Sequence, residues 1–127
     1  MVEKFFEALS QVDSPAYIEL PLSKEEWEKA TPVKKGVVAF LYALWRAGWD
    51  IRKVYEGWFY PGYEVPSLLR IEELPGKELW VTFLWRGEKE KFELIFNEPL
   101  PFPKSVEDYA DRFPSLVNEL KAALLFL

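Results

Sequence analysis

The chain has 127 residues, half of them hydrophobic and 17% aromatic, a formal net charge of −5, and neither cysteine nor histidine. That length suits one domain around one core. The missing Cys and His exclude disulfides, thiolate catalysis, a Ser-His-Asp relay and the common zinc and copper ligand sets, while an acidic balance argues against generic binding of a phosphate backbone.

In chain order, Val2, Phe5, Phe6, Leu9 and Val12 recur at the spacing of one helical face. They predict an amphipathic helix over about 2–12 that Asp13-Ser14-Pro15 stops. Ser23-Lys24-Glu25-Glu26 has the form of a capping box, with the Ser23 hydroxyl accepting from the Glu26 amide and the Glu26 carboxylate returning to the Ser23 amide. Leu22 and Trp27 take the staple positions, so a short helix follows over about 24–30. Thr31-Pro32 then supplies an N-cap and a first helical residue for a helix over about 32–47. This helix carries Val33, Val37, Phe40, Leu41 and Leu44 on one face and Val38, Tyr42 and Trp45 on the others. A helix apolar nearly all round belongs at the centre of a fold. Gly36 lets a neighbour approach it, and Gly48 is placed to end it.

From Ile51 the spacing changes. Tyr60-Pro61-Gly62-Tyr63 and Leu74-Pro75-Gly76-Lys77 place Pro and Gly where a type II turn needs them, and they divide the middle of the chain into strand-length pieces. The pieces are 51–59, 68–73, 78–85 and 91–97, which read as a four-stranded antiparallel meander over about 51–97. In the third piece Leu79, Val81, Phe83 and Trp85 alternate with Trp80, Thr82 and Leu84. Both faces of that strand are apolar, so it is either covered on both sides or presents one face as a contact surface. Pro99, Pro101 and Pro103 end the sheet. Ser105 opens a helix over about 105–113 with Asp108 at its third position, Pro114 breaks it, and a last helix runs over about 115–126. The expected fold class is therefore α+β, a single domain over 1–127 in which helices pack an antiparallel sheet.

The densest candidate site is the run Gly57 to Tyr63, whose Trp58, Phe59, Tyr60 and Tyr63 are the predicted binding residues of an aromatic hairpin. Aromatics supply large contact area at low entropic cost and dominate interface hot spots. Trp45, Trp49, Trp80 and Trp85 are expected in the core. Among the carboxylates, Glu72 and Glu73 are adjacent on a strand and point to opposite faces, so they form no acid/base pair by themselves. Asp108 and Asp111 are three apart on a helix, where they either share a cation or act as a cap and a solvated face. No calcium loop, phosphate loop or other cofactor motif is present.

The expected function is a non-enzymatic protein-interaction or regulatory module, with a protein partner that the acidic surface would favour as basic. A small-molecule or carbohydrate-binding domain, or a carboxylate-dependent enzyme with a pocket between helix and sheet, stands as the alternative. An acidic mimic of nucleic acid is a further one. The apolar ending Leu124-Leu125-Phe126-Leu127 either docks on the core or joins a second copy as a homodimer. The start lacks the features of a signal peptide, and the apolar run from Gly36 to Trp45 is about half the ~20 residues of a membrane span, so a cytoplasmic chain is expected. Met1 and Gln11 are alone of their kinds, and Glu and Lys dominate the charges. That composition is the one associated with thermophilic proteins.

Overall fold

The computed structural model describes residues 1–12, 19–60, 64–87 and 91–126. Helices α1 (Val2–Leu9), α2 (Lys24–Lys29), α3 (Pro32–Arg46) and α4 (Ile51–Gly57) precede strands β1 (Ser67–Leu74), β2 (Glu78–Gly87) and β3 (Phe92–Pro101), and α5 (Asp108–Arg112) and α6 (Pro114–Leu124) close the chain. The fold is α+β, an antiparallel meander in the order β1-β2-β3 with helices packed against it.

The local signals act largely as the residues imply. Ser23 accepts from the Glu26 amide at 3.1 Å, although the Glu26 carboxylate returns one residue further, to the Leu22 amide at 2.9 Å. Thr31 caps α3 through the Lys34 amide, with Pro32 opening the helix. At its far end Gly48 has φ +103°, the Gly48 amide donates to the Trp45 carbonyl and the Trp49 amide to the Leu44 carbonyl. This is a Schellman motif, which a left-handed glycine allows. Pro114 separates α5 from α6 by holding Phe113 at φ −121° and ψ 68°, outside the helical region.

One segment departs from the expected architecture. Residues 51–57 form α4 rather than a first strand, so the sheet has three strands among the described residues and not four. The reason is local: Asp50 caps the Arg52 amide at 3.0 Å, and Ile51, Val54 and Tyr55 recur at the 3- and 4-residue spacing of a helix, burying one stripe. Their β-branched and aromatic chemistry favours a strand, but the spacing and the cap prevail. The last helices also begin differently, because α5 starts at Asp108 and the residues from Ser105 form a turn. The stop at Asp13-Ser14-Pro15, the Pro61-Gly62-Tyr63 part of the first turn and residues 88–90 lie outside the described residues. The second turn has Gly76 at φ +91°, as a type II turn requires.

Helix α3 is the axis of the core, with Val38, Ala39, Phe40, Leu41, Ala43 and Leu44 fully buried. The sheet lies against it closely at Gly36, where a Cβ would come within 2.6 Å of Leu79 Cδ1 and 2.7 Å of Ile71 Cδ1. Phe40 meets Phe83 at 5.3 Å, and Phe83 stacks on Phe96 at 5.4 Å. On the opposite flank α1 inserts Phe5 edge-on against Tyr42 at 5.1 Å. The indole N–H of Trp49 donates to the Leu120 carbonyl at 2.8 Å and ties the exit of α3 to α6. The C-terminal turn docks on the sheet through Phe126, which stacks on Phe92 at 4.4 Å and on Trp85 at 5.9 Å.

Candidate functional site

Strand pairing divides the sheet's side chains into two rows. Leu79, Val81, Phe83 and Trp85 of β2 share the inner row with Leu100, Glu98, Phe96 and Leu94 of β3 and with Leu68 and Ile71 of β1. α3 packs on this row, and Leu79, Val81, Phe83 and Trp85 are fully buried.

The outer row contrasts with it. It carries Glu78, Trp80, Thr82, Leu84 and Arg86 of β2, paired respectively with Pro101, Pro99, Asn97, Ile95 and Glu93 of β3. Ser67, Arg70, Glu72 and Leu74 of β1 complete it, and the register shift between Leu68 and Arg70 leaves Leu69 as the extra residue of a bulge. Leu69 is 59% exposed and Ile95 60% exposed, with Leu84 half-buried next to Ile95. Trp80 is also half-buried, so it belongs to this open face rather than to the core, whereas Trp49 and Trp85 are buried as expected.

Several polar members of the outer row pair within it. The Thr82 hydroxyl donates to Asn97 Oδ1 at 2.6 Å, Arg86 pairs with Glu93 at 3.4 Å, and Arg70 pairs with Glu72. Two apolar pairs, Leu84 with Ile95 and Trp80 with Pro99, thus stand on either side of the polar rung Arg70, Thr82 and Asn97, with Glu78 at one end of the row and the Arg86–Glu93 pair at the other. Apolar and polar side chains therefore interleave on this face, with Ile95 left exposed among them.

The predicted aromatic site is distributed differently. Trp58 follows the last turn of α4 and is no part of a hairpin strand; its indole N–H donates to the Pro66 carbonyl at 2.8 Å and its ring stacks near Phe40 at 6.3 Å. Phe59 packs edge-on against Tyr55 at 5.2 Å. Tyr60 projects, 60% exposed, and Tyr63 lies outside the described residues. Trp58 and Phe59 are therefore anchored to the core side, and among the described members of the group Tyr60 faces solvent.

The carboxylates have structural partners. Glu72 faces outward to Arg70, while Glu73, across from Leu79 on the inner row, sits exposed at the sheet edge. Asp108 is 8% exposed, pairs with Arg112 at 3.1 Å and accepts from the Lys104 amide at 3.3 Å, so it closes the start of α5. Among the described residues no group of three or more His, Cys, Asp or Glu side chains is arranged to hold a metal ion. Burial first, and then the charge of Glu98, pushes the Glu119 carboxyl above its ordinary range. Burial likewise pushes the Tyr109 hydroxyl up, with Asp108 adding to the effect.

A cleft of about 360 Å³ opens between α1, α3 and α5, lined by Met1, Glu3, Lys24, Tyr42, Arg46, Glu107 and Asp111 among others. Within it the Arg46 guanidinium donates to the Tyr42 hydroxyl at 3.2 Å, and that bond, followed by the fields of Asp111 and Glu107, holds its pKa above the usual value. Cations and carboxylates alternate around this cleft, so it presents no field of one sign. No described helix is long and apolar enough to cross a membrane.

Compared with protein-family models, curated proteins and solved structures, the chain matches none of them. The reading of the site therefore rests on its own geometry.

Proposed function

We propose that the chain is a non-enzymatic protein-interaction module whose contact surface is the outer face of its sheet. One observation carries this reading: Ile95, 60% exposed, stands beside Leu84 in the outer row, on the side of the sheet opposite α3. Covering apolar surface left in water is favourable, at about 25 cal/mol per Å². The paired polar groups support the same reading, because Thr82 with Asn97, Arg70 with Glu72 and Arg86 with Glu93 already have partners and lose little when water is displaced.

Photo-cross-linking in the native host tests the proposal. A photoreactive residue at position 95 is expected to give covalent adducts, and one at position 53, on the exposed flank of α4, is expected to give none. Equal yields at both positions, or no adduct from position 95, would overturn it.

A second contact is favoured by Tyr60, which stands exposed beside a Trp58 that the Pro66 carbonyl immobilises. An aromatic ring on a pre-ordered base loses little entropy on binding. In this reading Tyr60, with Tyr63, touches the partner while Trp58 and Phe59 position it. The same experiment with the photoreactive group at position 60 separates the two surfaces.

A further inference from the structure

Resting on the reading of the outer face as a contact surface, we infer that its occupant is a second copy of this chain, packed sheet to sheet about a twofold axis that passes beside Thr82. The outer row of β2 runs Glu78, Trp80, Thr82, Leu84, Arg86, and it is self-complementary about its centre. A twofold contact sets residue i against j and j against i. When two copies of this row run antiparallel across an interface centred on Thr82, Trp80 faces Leu84 of the second copy, and Glu78 faces Arg86. Both copies make each contact, so the arrangement yields two apolar pairs and two opposite-charge pairs from one strand.

The neighbouring strand follows the same rule. Ile95 is level with Leu84 and Pro99 with Trp80, so the axis that joins Trp80 to Leu84 also joins Ile95 to Pro99 of the other copy. Asn97 is level with Thr82 and meets its own equivalent, which an amide satisfies by donating and accepting. Arg70 is level with Thr82 on β1 and approaches its equivalent too, but its pairing with Glu72 neutralises it. The chain carries a net charge of −5, so a second copy meets repulsion over most of the surface. On this face Arg70 and Arg86 offset two of the three glutamates Glu72, Glu78 and Glu93, so that repulsion is reduced.

The size of the face bounds the contact, although area alone does not fix affinity. Three strands about 4.8 Å apart, with about nine residues each at about 3.3 Å, present roughly 400 Å². A stable complex covers about 800 Å² per partner, so this dimer is reversible and dissociates on dilution through the micromolar range.

Sedimentation velocity on the purified chain, from about 5 to about 500 µM to bracket an interface of this size, tests the inference. The expected result is a concentration-dependent shift from monomer to dimer. Ile95→Lys is expected to weaken it at least tenfold, with Ile95→Thr as a milder substitute should the lysine variant fail to fold. Glu78→Arg places like charges in register and is expected to weaken it, and adding Arg86→Glu together with Glu93→Arg, which keeps an opposite-charge pair between β2 and β3, is expected to restore it. A chain monomeric at the highest concentration, a dimer indifferent to both substitutions at Ile95, or a triple variant no better than Glu78→Arg would each overturn the dimer. If the purified chain stays monomeric while position 95 cross-links other proteins in the host, the dimer falls and the interaction module stands. If position 95 captures nothing, the module itself falls.

Discussion

Ile95 and Phe96 are consecutive on β3, yet Ile95 is 60% exposed and Phe96 only 5%. Phe96 lies on Phe83 inside the helix-packed face, and Ile95 lies beside Leu84 on the open one. Removing the two side chains should therefore have unequal effects. Phe96→Ala is expected to cost about 3–5 kcal/mol, as large-to-small changes in a core do, whereas Ile95→Ala should cost under about 1 kcal/mol. Urea unfolding of the two variants at low protein concentration checks this, and similar costs would mean that the outer face is structural.

Trp58 and Tyr60 give a second pair of unlike neighbours. Trp58→Phe keeps the ring but removes the N–H that reaches the Pro66 carbonyl, leaving that acceptor short of a partner at a cost of about 1–3 kcal/mol. Tyr60→Ala, at an exposed position, should change stability by less than about 0.5 kcal/mol. Thermal or urea unfolding separates the two; a large loss at Tyr60 would contradict its assignment to the surface.

At Gly48 the backbone is left-handed, with φ +103°, and a Cβ there would meet Leu124 Cδ2 at 3.2 Å. Gly48→Ala is expected to destabilise the fold by about 1 kcal/mol or more, because alanine pays for that φ where glycine does not. Urea unfolding that gave the variant equal or greater stability would contradict the Schellman ending of α3.

Glu119 provides a prediction in pH. Its carboxyl is held above the ordinary range, chiefly by burial and then by Glu98, and its Oε2 has no hydrogen-bond partner among the described residues. With the folded pKa above the unfolded one, this group's contribution to stability is fully present below the unfolded pKa and is lost as pH rises through the folded one. At pH 7 the ionised carboxylate is thus a liability, and Glu119→Gln should raise the melting midpoint. The gain should shrink on acidification and vanish below about pH 4, where the carboxyl is protonated in both states. Melting curves across that interval check the sign; a gain that persisted in acid would point to packing instead of charge.

How far the sequence discloses these features depends on the range of the interaction. The Ser23, Thr31, Gly48 and Pro114 boundaries act within four residues, so their chemistry can be read directly from the chain. The two apolar faces of β2 are equally visible, and they raise the open-surface alternative before any fold is known. Residues 51–57 mislead because residue type and spacing disagree there, and spacing with the Asp50 cap prevails. The exposure of Ile95 depends on α3 packing against the opposite side of the sheet, a long-range arrangement with no local signature. The anchoring of Trp58 by Pro66, eight residues on, is hidden for the same reason.

The most direct measurement is hydroxyl-radical footprinting of the outer face inside the host cell, compared with the purified chain at low concentration. Covering of that face predicts that Trp80, Leu84 and Ile95 are protected in the cell, while exposed residues on the helical flank such as Lys53 are modified equally in both samples. Equal modification of Trp80, Leu84 and Ile95 in both samples would contradict the assignment of this face as the contact surface.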